Sequence, residues 1–145
     1  VELKHCNCAS LRGATRAVSL AYDDALRPSG LRVTQFSILA NVASAKEVSM
    51  GELADQIAMD RTTLARNLKP LERDKLIQVV VGEDRRERIV SVTATGRKTL
   101  ERAIPLWRAV QTRFEEKVGK REAKRILELT QSLIRVGREL SAENG

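Results

Sequence analysis

Residues 49–93 read SMGELADQIAMDRTTLARNLKPLERDKLIQVVVGEDRRERIVSVT. The stretch divides into a helix, a short turn, a second helix and a two-stranded hairpin with an arginine-rich tip. Ser49 and Glu52 have the spacing of a capping box, Ser at N-cap and Glu three residues on. They open a helix over about 50–57 that packs through Leu53, Ala54 and Ile57. Ala58 and Met59 leave room for a tight connection only, and Asp60 is placed to cap the next helix. Two short helices across such a turn make a helix-turn-helix.

The second helix, expected over residues 60–76, has two faces. At 100° per residue, Leu64, Leu68 and Leu71 fall on one side. Thr62, Arg66, Lys69 and Arg73 fall within a narrow arc on the other. The leucine stripe would suit any amphipathic helix. The cationic stripe lies next in sequence to a tip carrying Arg85, Arg86 and Arg88, and together they point to an anionic polymer. Pro70 removes one helical N–H, so a kink is expected there.

Composition narrows the choice of polymer. The chain has 145 residues, 42% hydrophobic and 31% charged, which is long enough for one domain with a real core. The formal charge of +7 favours nucleic acid or an anionic surface. Aromatics are only 3%, which argues against reading single strands by base stacking. The charge is not concentrated where the motif lies. Residues 49–97 hold nine Lys/Arg against eight Asp/Glu, while residues 98–145 hold eleven against seven. The case for nucleic acid therefore rests on which face the cations occupy.

Outward from the motif, helical spacing recurs. Leu11, Ala14, Val18, Ala21, Tyr22 and Ala25 predict a helix over about 7–27, ended by Pro28-Ser29-Gly30. Thr34 is a suitable N-cap for a helix to about residue 45, and residues 46–48 read as a connector. Beyond the hairpin, Thr93 caps a long helix to about 118, which Pro105 is expected to kink. Gly119 breaks it, and a last helix over about 121–140 shows two apolar stripes, enough to want two neighbours. No charged-then-apolar leader opens the sequence, and no apolar run approaches the ~18 residues that span a bilayer. A cytoplasmic protein with no membrane partner is expected.

These elements resemble the MarR family of bacterial transcription regulators. The family's wing pattern, Asp-x-Arg, five residues, Leu-Thr, is matched by Asp84-Arg85-Arg86 and Val92-Thr93, with Val92 in place of the usual leucine. Gly96 follows as in the family's Thr-x-x-Gly helix start. Asp60-Arg61-Thr62-Thr63, the run from Leu71 to Ile77, and Thr34-Gln35-Phe36 with Leu39 fit the recognition helix, its exit and the helix before the motif. The resemblance implies a mainly α fold with a small β-hairpin wing: a winged helix-turn-helix at 31–97 and a helical dimerisation lobe from 1–30 and 98–145. It implies a homodimer on double-stranded DNA at a pseudo-palindromic operator, usually repressing, and released by a small ligand or by oxidation.

Under that reading the recognition helix enters the major groove. Thr62, Thr63, Arg66 and Asn67 are candidates for base edges, with Arg toward guanine and Asn toward adenine. Lys69 and Arg73 would meet phosphates, which position without specifying. Arg86 would reach the minor groove or its phosphates, supported by Arg85 and Arg88. Asp84 cannot favour phosphate, so its expected role is to orient Arg86. The competing reading of each cationic stripe is a solvated surface.

Cys6 and Cys8, preceded by His5, are the only candidates for sensing chemistry. They are too few for a zinc site, so no metal and no cofactor are expected. They are either redox sensors or small residues at an interface. Arg12, Arg16 and Trp107 are the candidate lining of a small-ligand cleft, although Arg12 and Arg16, four apart, equally form an exposed stripe. One His, no phosphate loop and no nucleophile–base pattern speak against an enzyme. The alternative class is a protein–protein adaptor that docks through a winged helix.

Overall fold

The computed structural model describes residues 2–145, which form two compact units, 2–107 and 108–145. In the first unit, helix α1 (Asn7–Leu26) is followed by a 3-10 turn (Arg27–Ser29), which ends where Gly30 takes a left-handed φ of 80°. Ser29 is buried and fully bonded. Its hydroxyl donates to the Leu26 carbonyl at 2.6 Å and accepts the Leu31 N–H at 3.3 Å.

Helix α2 (Val33–Ala45) starts one residue before Thr34, and Arg32 is its N-cap. Thr34 is not needed as a cap because acceptors elsewhere take the free amides. Asp23 Oδ1, from α1, accepts the Val33 N–H at 2.7 Å, and Gln35 Oε1 accepts the Arg32 N–H at 3.0 Å. Residues 46–48 are more than a connector. Strand β1 (Glu47–Ser49) pairs antiparallel with β3 (Arg88–Val92), which also pairs with β2 (Ile77–Val81). The expected two-stranded hairpin is thus a three-stranded sheet, order β1-β3-β2. Val48 faces Val90, and both are buried.

Both expected caps of the helix-turn-helix are made. The Ser49 hydroxyl accepts the Glu52 N–H of α3 (Met50–Gln56) at 3.2 Å, and Asp60 Oδ1 accepts the Thr63 N–H of α4 (Arg61–Arg73) at 2.8 Å. α4 passes through Pro70 but ends at Arg73, earlier than residue 76. Lys75 turns left-handed at φ 59°, and the Leu76 N–H reaches back to the Leu71 carbonyl at 2.9 Å. This reversal lets Leu76 and Ile77 enter the core, which a continuing helix would not.

The core of this unit takes Leu26, Ile38, Leu39, Val42, Leu53, Leu64, Leu71 and Val90, all with 2% or less of their surface exposed. Helix α5 (Ala94–Val118) is tied at its start to the exit of α4. The Thr93 hydroxyl donates to the Lys75 carbonyl at 2.6 Å and accepts the Gly96 N–H at 3.0 Å. A Cβ at Gly96 would collide with the Leu76 carbonyl, so glycine is required by close approach.

The second unit holds the end of α5 and helix α6 (Lys120–Glu143), with Gly119 at φ 99° between them. Ala123 is buried, but Leu127, Leu129 and Leu140 are more than half exposed. No helix among the described residues is long and apolar enough to cross a membrane.

Candidate nucleic-acid interface

Helix α4 separates its two faces as the wheel requires. Leu64, Leu68 and Leu71 are buried, and Thr62, Arg66, Lys69 and Arg73 are exposed. The buried stripe anchors the helix, so the direction of the polar stripe is set by the core.

A cleft of about 590 Å³ runs along that polar face. From α4 it takes Arg61, Thr62, Ala65, Arg66 and Lys69; from the wing, Arg86, Glu87 and Arg88; from the start of α3, Ser49, Met50 and Gly51. Residues more than twenty apart in sequence thus converge on one concave surface. Five cations line it against a single acid, Glu87. The near-neutral sum over residues 49–97 therefore hides a strongly cationic groove.

Two other acids nearby are engaged. Asp60 accepts the Thr63 N–H and, at 2.8 Å, the Thr63 hydroxyl. Those two bonds, the Thr62 N–H and the Arg66 charge hold its carboxyl below the ordinary value of 3.8. Asp84 accepts the Arg86 N–H at 3.0 Å, Arg86 Nε at 3.3 Å and, through its other oxygen, Arg86 Nη2 at 3.3 Å. The backbone bond first, and the guanidinium second, lower its carboxyl as well. Arg86 is held in this fork yet stays 91% exposed, so its orientation is restrained while its charge remains available to a ligand. Arg88 Nη1 donates to the Arg85 carbonyl at 3.2 Å, which braces the tip from the other side.

Of the residues singled out in the sequence, Thr62, Arg66, Lys69, Arg86 and Arg88 share the groove. Thr63 and Asn67 do not line it. Thr63 is committed to the Asp60 cap. The Asn67 amide donates to the Thr63 carbonyl at 2.9 Å and to Met59 Sδ at 3.8 Å. Arg73 lies beyond the groove and pairs with Asp74 at 3.3 Å. Arg61 was not singled out, yet it lines the groove beside Arg66. Its only sequence signal is Gly51, inside a short helix where glycine has no local use.

The sensing candidates lie in α1 and at residue 107. Cys6 is the N-cap of α1, its sulfur accepting the Ala9 N–H at 3.5 Å, and Cys8 is exposed; both thiols are free. His5 pairs with Glu2 at 3.2 Å. Among the described residues, no cluster of three or more His, Cys, Asp and Glu could hold a metal. Arg12 and Arg16 are exposed on α1. Trp107 is half-buried and stacks on Phe36, ring centroids 5.7 Å apart.

Comparison with known proteins agrees with this geometry. The MarR family profile matches residues 29–87, which include α2, α3, α4 and the start of the wing. The structure is similar to that of the Mycobacterium tuberculosis transcriptional regulator MosR solved in complex with DNA. Identity is 41% and the TM-score 0.86, over 94% of this chain and 98% of that one. It is also similar to the transcriptional repressor CouR bound to a 23-mer DNA duplex, at 25% identity and TM-score 0.78, over 91% and 94% of the chains. A Bacillus cereus HTH-type transcriptional regulator, itself uncharacterised, is 29% identical over 102 residues, 70% of this chain and 68% of its own length. With a family profile on the reading motif and a relative matched along almost its whole length, the chain belongs to the MarR family of winged helix-turn-helix, DNA-binding transcription regulators, which are not enzymes.

Proposed function

We propose that this protein is a sequence-specific repressor that binds a pseudo-palindromic operator as a homodimer in the cytoplasm. The observation that carries the reading is the groove in which Arg61, Arg66 and Lys69 of α4 meet Arg86 and Arg88 of the wing. In this reading α4 enters the major groove. Thr62 and Arg66 face base edges, and a bidentate Arg contact favours guanine. Lys69 and Arg73 meet phosphates, and Arg86 enters the minor groove or meets its phosphates, with Arg85 and Arg88 beside it. Asp84 keeps Arg86 aimed. Thr63 and Asn67, bonded inward, hold the first turns of α4 rather than reading bases.

The homodimer is supported by apolar surface on the terminal helices. Leu20 of α1 is 63% exposed and Leu129 of α6 is 60% exposed, with Leu11, Leu127 and Leu140 also open to water. Each such run of apolar surface, on α1 and on α6 separately, is of the kind that marks a partner-binding face. Two copies would place their α4 helices about one DNA turn, roughly 10 base pairs, apart. Repression is the choice supported by the similarity to CouR, which is described as a repressor bound to DNA. Release by a small ligand or by oxidation completes the proposal. Cys6 and Cys8, free and near the start of α1, would be the oxidation site, and a cleft near Arg12, Arg16 and Trp107 the ligand site.

Selection of bound fragments from the source genome, followed by binding titrations of the winners, tests the reading. A recurrent inverted repeat is expected. Recovery of fragments with no shared sequence would reject a specific regulator. Oxidant response is tested separately: Cys6→Ser/Cys8→Ser should abolish oxidant-induced release, and unchanged release would remove the thiols from the mechanism.

A further inference from the structure

Arg61 is the first residue of α4, and its guanidinium reaches back over the start of α3. An ideal Cβ on Gly51 would lie 2.6 Å from Arg61 Nη2, 3.4 Å from Cζ and 3.8 Å from Nε. The guanidinium thus occupies the space that any other residue at 51 would fill. Gly51 has no left-handed φ, so its backbone does not require glycine. A helical glycine is intrinsically worse than alanine. What the missing side chain provides here is a seat for Arg61.

Two further facts bear on Arg61. Among the described residues, no hydrogen bond or ion pair holds its guanidinium, whereas Arg86 and Arg73 each have a carboxylate. Its position on the first turn of α4 also sets a cation against the positive end of the helix dipole. Local energetics therefore disfavour arginine at this place. An unpaired guanidinium on the wall of a cationic groove is suited to a ligand outside the protein.

We propose that Arg61, seated over Gly51, contacts a backbone phosphate of duplex DNA and sets how α4 sits in the major groove. This rests on reading the α4–wing groove as the DNA interface. In helix-turn-helix docking the first helix crosses the sugar–phosphate backbone while the second enters the groove. A guanidinium lying across the start of α3 is therefore within reach of that backbone. Its planar fork matches two phosphate oxygens. The contact fixes register and carries no base preference.

The test is a salt titration on a mixed-sequence duplex of about 30 base pairs, long enough for two half-sites. Four full-length proteins are compared: wild type, Arg61→Ala, Gly51→Ala and the double variant. One phosphate contact contributes about 0.9 to the slope of log K against log salt. Arg61→Ala should make the slope shallower by about 0.9 per bound protomer, and Gly51→Ala, which asks only the end of the Arg61 side chain to shift, by no more than that. Gly51→Ala should add nothing on the Arg61→Ala background, because its effect is to displace Arg61. Its Tm should be no lower than wild type, since alanine is the better helix former. A wild-type slope in Arg61→Ala, or a further loss in the double variant, overturns the proposal. If the wild type itself binds without salt dependence, the DNA reading and this inference fail together. If the wild type binds steeply and only the variants miss expectation, this inference alone fails.

Discussion

The reading motif and the last helix differ in a way their charges do not suggest. Residues 49–97 are nearly neutral in sum, yet they present a groove with five cations and one acid. Residues 98–145 carry most of the net positive charge, yet the distinctive feature of α6 is exposed leucine. In α4, Leu64, Leu68 and Leu71 are buried, and Arg61, Arg66 and Lys69 line the groove. In α6, Arg125 pairs with Glu122 and Arg135 with Glu139, while Leu127, Leu129 and Leu140 face water. Net charge thus does not locate the proposed DNA-binding surface. The placement of side chains differs instead: cations gather in the groove of one region, and leucines lie exposed along α6 of the other.

The largest expected effect separates the two kinds of leucine. Leu64 is fully buried, and Leu64→Ala should cost about 2–5 kcal/mol in denaturant unfolding. Leu129→Asp in α6 should instead leave monomer folding intact and shift sedimentation toward monomer. If Leu129→Asp stays dimeric at the same concentration, that face is not the dimer surface.

The next effect lies inside the groove. Arg66→Ala should reduce discrimination between a selected operator and random duplex by about 10- to 100-fold, as expected for loss of a base contact worth ~1–3 kcal/mol. Equal losses on both duplexes would reassign Arg66 to phosphate. Asp84→Ala should weaken binding severalfold although it removes a negative charge, because Arg86 loses its fork. Tighter binding by that variant would reject the orienting role.

The smallest effect is in pH. The Asp84 carboxyl is held below its ordinary value of 3.8 by the Arg86 bonds. A lowered carboxyl keeps its interactions above the ordinary value and loses them only as pH falls through the lowered one. The Arg86 Nε resonance should therefore stay constant from neutral pH to below 5 and move only under strongly acidic conditions. A titration of that signal centred above 3.8 would contradict the fork.

The helix-turn-helix was legible because its signals are local. Ser49 and Asp60 cap the helices they precede, and Leu64, Leu68 and Leu71 mark a face by spacing alone. What the sequence hid depends on residues far apart. β1 is three residues long, too short to show alternation, and exists because β3 offers it a partner. Arg32 replaces Thr34 as a cap because Asp23, ten residues upstream, accepts the Val33 N–H. The early end of α4 comes from the left-handed turn at Lys75, a residue with no such preference. The Arg61–Gly51 seat joins two helices across the turn, and no periodicity reports it. Asn67 shows the converse. Spacing placed it near the reading face, but Met59 and the Thr63 carbonyl draw its amide inward.

The central claim is that the α4–wing groove reads duplex DNA by sequence. The direct measurement is an equilibrium titration at about 0.15 M salt. A genome-selected fragment is compared with a scrambled duplex of the same length and composition. The account predicts a preference of about 1,000-fold or more for the selected fragment, with affinity for both falling steeply as salt rises. Equal affinity for the two duplexes, or binding that does not respond to salt, would contradict it.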